Sequence, residues 1–338
     1  MKVNELREKM AKLSKDDVSK LAVEFYKLIP KSKKEDYDID GMISNPGKKK
    51  EATKKTEELS ILDMNNDIKD FIDNARGSCY ISPNRIVPKK ERATWRFKVK
   101  KWYKELIKTN RADANLELQA RILKDLYELL CESCHYQYFS AYDTFESIGV
   151  DQAEFFVSVI DMHHKASGKL NSLEMSIRLV VDNSLNRYTL FSELMEIVIA
   201  KHNLPDLKYK AIDICKALLQ EHELKTRTQD KKKSGFSSFA EYYAKEKHNN
   251  MVEFVLRFHL NLFESKEGMN YFNSFYKEKS PEIKLYVLVK VLFEYKLSDE
   301  IRDEIESKIK SGVNPRNGLM ELLSILESGN PLPEYIPY

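Results

Sequence analysis

Two cysteines and a histidine stand close together near the middle of this 338-residue chain, in an order that metal sites use. Cys131, Cys134 and His135 form a C-x-x-C-H pattern, and the pair His163-His164 follows further along. Thiolate sulfur and imidazole nitrogen are the usual ligands of tetrahedral zinc. The pattern therefore predicts a zinc site made of Cys131, Cys134 and His135 with His163 or His164.

A purely structural interpretation of these residues stays open beside the metal site. The chain has no second C-x-x-C, and folding would have to bring the distant histidines to the cysteines. Cys134 also continues an apolar helical stripe through Leu123, Leu126 and Leu130, and a buried free cysteine behaves as a small hydrophobic residue. Covalent haem attachment to the same pattern takes place after export, for which the charged N-terminus gives no signal. We accordingly expect reduced thiols and no cofactor.

The strongest local charge in the chain lies between Arg85 and Lys108. Ten basic residues stand there against Glu91 and Glu105, which gives a net charge of +8. Such a segment can displace condensed counterions from a polyanion, and Trp95, Arg96, Trp102 and Tyr103 can add stacking on bases. The candidate binding residues are Asn84, Arg85, Lys89, Lys90, Arg92, Arg96, Lys100, Lys101 and Lys104, with Lys98 and Lys108 completing the basic set.

Two structural interpretations compete with polyanion binding by this segment. Trp95, Val99, Trp102 and Leu106 recur at helical spacing, so one face of the helix can be core and the other simply solvated. The basic helix can also dock on the acidic remainder of the chain. Residues 1–111 carry 28 Lys+Arg and 18 Asp+Glu (28 − 18 = +10), whereas residues 112–338 carry 28 Lys+Arg and 35 Asp+Glu (28 − 35 = −7). The sequence leaves these alternatives open.

The irregular segment from Tyr80 to Pro88 is a further candidate, since ordered loops often carry function. Asn84 and Arg85 can form an anion or carboxylate clamp beside the basic helix, because arginine presents a planar fork of donors. The alternative is a connector in which Tyr80, Ile81 and Ile86 plug a core.

Motifs typical of catalysis are missing from the sequence. It contains no G-x-S-x-G, Walker-type G-K-[ST], G-x-G-x-x-G or H-E-x-x-H. We therefore expect a non-enzymatic protein, and an enzyme whose site is assembled from dispersed residues ranks third among the functions considered.

The elements that must position these residues are predicted to be helices throughout. Apolar residues recur with a helical period, and 10 Gly in the whole chain are few for a turn-rich β protein. The prediction is an all-α, irregular helical array, either α-solenoid-like or a multi-helix bundle. Expected helix starts are Ser14, Asp151 with a capping box, Ser172, Pro205, Ser280 and Ser298, and expected breaks include Gly168 and Gly268.

Composition shifts divide the chain into four predicted parts. These are an N-terminal helical hairpin over 1–30, a charged linker or surface loop over 31–60, a basic helical segment over 61–111 and an acidic helical-repeat-like domain over 112–338. No stretch approaches the roughly 18 consecutive apolar residues of a membrane span, and we expect a cytoplasmic location. The favoured function is a protein-interaction or scaffold module with a protein partner, and nucleic-acid or other polyanion binding through Arg85–Lys108 is the alternative.

Overall fold

The structure, a computed structural model, describes residues 3–30, 34, 39–44, 61–108, 115–230 and 238–337. The described residues form helices and contain no strand, which confirms the all-α prediction. Contacts divide the chain into two compact units, Met1–Leu59 and Ser60–Tyr338. The second unit therefore contains both the basic segment and the acidic C-terminal region. Across the described residues, no helix is both long enough and apolar enough to cross a membrane.

The first unit contains α1 (Val3–Ala11), α2 (Lys15–Leu28) and α3 (Ile39–Ser44). Ser14 caps α2 as expected, because its hydroxyl accepts a 3.2 Å hydrogen bond from the backbone N–H of Asp17. The short helix α3 falls inside the segment predicted as a linker. Apart from α3 and residue 34, that segment lies outside the described residues.

The second unit begins with α4 (Ile61–Arg76), α5 (Lys89–Leu106), α6 (Leu116–His135) and α7 (Thr144–Ile148). Helix α4 packs on α6, and α5 packs on α6 and α7. An aromatic core fixes α5 from beneath: Trp95 stacks on Phe139 with ring centroids 4.1 Å apart, and Trp102 lies 5.3 Å from Phe71. The tryptophan face of α5 is therefore locked into the core.

The described part of the second unit continues with α8 Gln152–Asp182, α9 Phe191–Lys201, α10 Pro205–Asp230, α11 Ser238–Asn261, α12 Ser265–Phe275, α13 Pro281–Glu294, α14 Ser298–Lys310 and α15 Asn317–Glu327. Helix α8 packs against α6, α9, α10 and α11, and α11 packs in turn on α9, α10 and α12. Helices α13, α14 and α15 then pack on one another in chain order. The second unit is thus an irregular helical array in which α8 and α11 each contact several other helices.

A buried arginine joins three of these helices. Arg257 on α11 is 1% exposed and forms ion pairs with Glu196 on α9 at 3.0 Å, Glu253 at 2.8 Å and Glu294 on α13 at 2.7 Å. Burial alone lowers the pKa of a guanidinium, but Glu253 and Glu294 outweigh it, and the pKa of Arg257 is raised above its ordinary value. Arg257 therefore carries its positive charge in this cluster.

Two glycines behave differently from each other, although the sequence predicted a helix break at both. Gly168 adopts φ +81° and ψ 164°, which is not a helical conformation, so α8 consists of two helical stretches that meet at a kink there and the predicted break is confirmed. Ser172 lies inside the second stretch rather than at its start. Gly268 lies inside α12, where an added Cβ would stand 2.9 Å from Cβ of His259 on α11. The break predicted near Gly268 lies earlier, at residues 262–264, and Gly268 itself lets two helices approach closely.

Gln152, rather than the predicted capping box, anchors the start of α8. Asp151 occupies the N-cap position but makes no side-chain capping hydrogen bond. The buried Gln152 amide instead donates to Ser184 O at 3.0 Å, and its oxygen accepts from the backbone N–H of Asn186 at 2.7 Å. These bonds tie the start of α8 to the turn that follows its end.

Candidate functional site

The outer side of α5 carries most of the exposed basic side chains of the segment Arg85–Lys108. We define the cationic face as seven exposed basic side chains, of which Arg85 lies in the loop before α5 and the others on α5 itself: Lys89, Lys90, Arg96, Lys98, Lys101 and Lys104. The buried aromatic core beneath α5 forces these side chains outward. Lys98 was part of the basic segment but not of the candidate site residues, and its exposure now places it with them.

The cations of the cationic face form no ion pair with a carboxylate of the described chain. None of them lies within ion-pair distance of a described carboxylate; in the segment Arg85–Lys108 only Lys108 is paired, with Glu105 of its own helix at 2.7 Å. The acidic C-terminal region therefore does not neutralise these side chains through ion pairs with described residues. Repulsion among closely spaced like charges is unfavourable, so a face of this kind favours an anionic ligand.

Three of the candidate binding residues are engaged elsewhere. Asn84 Nδ2 donates to Cys79 O at 2.6 Å and Ser82 O at 2.7 Å, while its Oδ1 accepts from the N–H groups of Ile86 and Val87 at 2.9 and 2.7 Å. Both donors and both acceptor positions of this amide are thus used by the loop's own backbone. Asn84 shapes the loop and presents no free group to a ligand.

Arg92 and Lys100 also turn toward the protein. Arg92 Nη1 donates to Val87 O at 2.9 Å, which ties α5 to the preceding loop, and Lys100 Nζ lies 3.5 Å from the carbonyl oxygen of Gly149. Both side chains are half-buried. The loop residues Ile81 and Ile86, expected to plug a core, are exposed instead, and Tyr80 is buried.

The aromatic residues of α5 divide into buried and exposed ones in a way that changes the stacking prediction. Trp95, Trp102 and Tyr103 are buried, and Tyr103 shares a 2.9 Å hydrogen bond with Ser158 on α8. These three rings are unavailable for stacking on bases. Phe97 is 61% exposed, with the guanidinium of Arg96 4.8 Å from its ring centroid.

Phe97 lies in the middle of the cationic face. At 100° per residue, Lys90, Lys101 and Lys104 stand seven positions before, four after and seven after Phe97, on the same side of the helix. The sequence contained the signal for this placement, since Phe97 falls opposite the apolar face formed by Trp95, Val99, Trp102 and Leu106.

The predicted zinc ligands lie in three different surroundings. Cys131 is fully buried, and burial raises the pKa of its thiol well above the ordinary value; Gln152 Nε2 lies 3.3 Å from its sulfur. Burial likewise raises the pKa of Cys134 to about 11, and its thiol donates to Leu130 O at 3.4 Å. His135 is exposed at the end of α6. A zinc ion bound at these cysteines would have to displace both thiol protons.

The two neighbouring histidines of α8 differ in their contacts, because Nε2 of His163 is buried without a hydrogen-bond partner in the described chain, whereas His164 contacts His202. Burial lowers the pKa of His163 below its ordinary value. His164 Nε2 lies 3.1 Å from Nε2 of His202 on α9, whose Nδ1 is 3.0 Å from Val198 O. Since Nδ1–H of His202 donates to that carbonyl, its Nε2 accepts the proton of His164. Over the described ranges, no three His, Cys, Asp or Glu side chains are grouped so as to hold a metal ion.

Comparison of the chain with protein-family models, curated proteins and solved structures finds no match.

Proposed function

We propose that the protein binds nucleic acid through the cationic face. The observation that carries this proposal is the absence of any ion pair between the cationic face and a described carboxylate, although its side chains are exposed. Helix α5 spans 18 residues, or about 27 Å at 1.5 Å per residue. Duplex DNA carries one negative charge per about 1.7 Å of its axis, so a length of this order offers many phosphates to the cations.

Phe97 adds a second kind of contact to the charge. An exposed ring among cations supplies a stacking surface for an unpaired base, worth about 1–3 kcal/mol per base in proteins that bind single strands. The proposal is therefore that the phosphate backbone follows the lysines while a base contacts Phe97. The total net charge of +3 does not oppose this, because the local field of the face acts over about 10 Å at moderate salt.

The test is the salt dependence of binding by a charge-reduced variant. Fluorescence anisotropy with labelled single-stranded and duplex oligonucleotides, from about 50 to about 200 mM salt, gives the slope of log affinity against log salt. The variant Lys90→Gln, Lys101→Gln, Lys104→Gln removes three positive charges from the cationic face. The matched control removes three exposed, unpaired charges elsewhere: Lys266→Gln, Lys279→Gln and Lys290→Gln.

The proposal expects binding at low salt and a slope that becomes shallower by about 2–3 in the face variant. The control triple variant has the same net charge and is expected to bind as the wild type does. Equal weakening in both triple variants would show that only total charge matters. Binding to anionic lipid vesicles without binding to either oligonucleotide would show that the cationic face binds lipid and would refute the nucleic-acid proposal.

A second function, protein interaction, is favoured by a separate observation in the first unit. Helix α2 has no buried residue, and Leu21, Phe25 and Leu28 are exposed at i, i+4 and i+7 on one face. This spacing suits the docking of an amphipathic helix from a protein partner. A pull-down with wild-type protein and with Phe25→Ser tests it: the same partner must be recovered by the wild type and lost by the variant.

A further inference from the structure

A cleft of about 470 Å³ lies between the end of α6, the turn after α8 and the first half of α11, within the second unit. Its lining residues belong to none of the elements that carry the cationic face. The volume falls in the range of about 300–1,000 Å³ that small ligands and side chains occupy. The residues that matter most for its chemistry are His135, Asp182, Tyr243, Glu246 and Lys247.

A row of rings leads from the surface into this cleft. Neighbouring ring centroids are separated by 5.9 Å from Tyr138 to Tyr136, 4.8 Å to His135, 5.7 Å to Tyr243 and 5.7 Å to Tyr242. Tyr136, Tyr242 and Tyr243 are all exposed, and Tyr243 is 48% exposed. Exposed aromatic rings that cluster beside a cleft are typical of recognition surfaces rather than of cores.

The charge of the cleft is negative. Lys247 Nζ donates to Asp182 Oδ1, so the charges of these two side chains cancel. Glu246 is half-buried and has neither a hydrogen bond nor an ion pair with any part of the chain that the structure describes. Two carboxylates against one ammonium give the lining a net charge of −1. The unpaired Glu246 beside an aromatic ring is therefore complementary to a cation.

The cleft does not offer a nucleophile or a metal ligand from Cys134, which also lines it. Burial raises the pKa of this thiol to about 11, so it stays protonated near neutral pH. Its role here is to form part of the wall.

We propose that this cleft binds a guanidinium group, placed against the rings of His135 and Tyr243 with Glu246 as its counter-charge. A guanidinium is planar, so it stacks on aromatic rings, and its fork of N–H donors matches a carboxylate in two parallel hydrogen bonds. The group can come from a free small molecule or from an arginine of a peptide. This site is independent of nucleic-acid binding.

The probe is N-acetyl-arginine amide, with N-acetyl-citrulline amide as a neutral analogue of nearly the same shape. Binding to the full chain is measured by calorimetry and by the NMR shifts of ring-labelled tyrosine. A blocked Gly-Gly-Arg-Gly-Gly peptide forms the second arm. Affinity for the peptide at least about tenfold above that for the free probe assigns the site to peptides, and equal affinity assigns it to small molecules.

Three variants separate the contributions. Glu246→Gln removes the charge while keeping the shape, and is expected to weaken arginine binding by at least about fivefold. Tyr243→Leu is expected to weaken it by about two- to fivefold, whereas Tyr243→Phe, which keeps the ring, leaves it unchanged. Glu241→Gln, an exposed position on the same helix outside the cleft, is the control for net charge.

Unchanged thermal unfolding of Glu246→Gln shows that the variant is folded, as expected for a side chain without partners in the described chain. The proposal is overturned if citrulline amide binds as well as arginine amide. It is equally overturned if Glu246→Gln and Glu241→Gln have the same effect, or if neither probe shifts any tyrosine of the cleft.

Discussion

Replacing Arg257 by methionine tests how the second unit is held together. The substitution keeps an unbranched side chain of similar reach in the core but removes the charge that Glu196, Glu253 and Glu294 share. Tyr295, whose hydroxyl donates to Glu196 at 2.7 Å, stays in place. The variant therefore leaves three carboxylates facing one another without a cation.

The expected loss of stability follows from the exposure of these carboxylates. Removing one partner of a buried ion pair costs about 3–5 kcal/mol, because a charge is left buried and unpaired. The side chains of Glu196 and Glu294 are 43% and 35% exposed and can regain water, whereas that of Glu253 is 19% exposed. We therefore expect Arg257→Met to lower the free energy of unfolding by about 2–4 kcal/mol at neutral pH.

Urea unfolding monitored by circular dichroism at pH 7 and pH 5 is the assay. Carboxylates crowded together without a cation take up protons more readily, so the deficit of the variant is expected to shrink by about 1 kcal/mol or more at the lower pH. Glu253→Gln in the Arg257→Met background is expected to restore part of the stability, since it removes one unpaired charge. Arg302→Met is the control, because Arg302 pairs only with exposed carboxylates and its loss costs at most about 1 kcal/mol.

Two results would refute this reasoning. A stability loss for Arg257→Met no larger than that for Arg302→Met would mean that the buried ion cluster contributes little. If the loss in free energy of unfolding of Arg257→Met stays the same at pH 5 and Glu253→Gln restores none of it, the loss is caused by lost packing and not by unpaired charge.

Three further predictions concern stability. Burial lowers the pKa of His164 to about 4 and also lowers the pKa of His202, so the folded protein binds fewer protons than the unfolded chain. The free energy of unfolding is therefore expected to be highest above about pH 6.5 and to fall toward pH 4, by about 1–2 kcal/mol for half-buried His164. Urea unfolding at several pH values measures this slope, and His202→Gln is expected to reduce it. Gly268→Ala is expected to lower the free energy of unfolding by about 1–3 kcal/mol, because the added Cβ would meet His259. Helix propensity alone predicts a higher melting temperature for this variant, and a measured increase would contradict the close approach of the two helices. Phe25→Ser, at a side chain that is 53% exposed, is expected to change the unfolding free energy by less than about 1 kcal/mol, and a loss of the size seen for core phenylalanines would show that α2 is covered.

The helices and the buried face of α5 could be predicted from local sequence, because both depend on periodicity alone. The spacing of Trp95, Val99, Trp102 and Leu106 defines one side of a helix wherever that helix lies, and all four residues are buried. The same rule failed to separate α2 from a core helix. Helical spacing shows that a face is apolar but not whether another element covers it, and the apolar side chains of α2 stay exposed.

Features that join distant parts of the chain could not be predicted in this way. The contact of His164 with His202 and the stack of Trp95 on Phe139 depend on which helices become neighbours, and no local pattern contains that information. Asn84 illustrates a different limit. Its amide was a reasonable ligand-binding group by type, but the loop needed the same donors and acceptors for its own backbone.

The cleft at the end of α6 could not be predicted from the sequence either. Tyr243 and Glu246 stand on α11, more than 100 residues along the chain from His135. A tyrosine and a glutamate on a helix do not by themselves indicate a binding site, and only the packing of the helices brings them close to His135.

Lysine footprinting with and without an oligonucleotide tests the proposed nucleic-acid site most directly. Reaction of exposed amines with a succinimidyl ester, read by mass spectrometry, reports the accessibility of each lysine. With a single-stranded oligonucleotide at low salt, Lys90, Lys101 and Lys104 are expected to be protected, while Lys266 and Lys290 react as before. Equal labelling of all five lysines in the presence and absence of bound oligonucleotide would contradict binding through the cationic face.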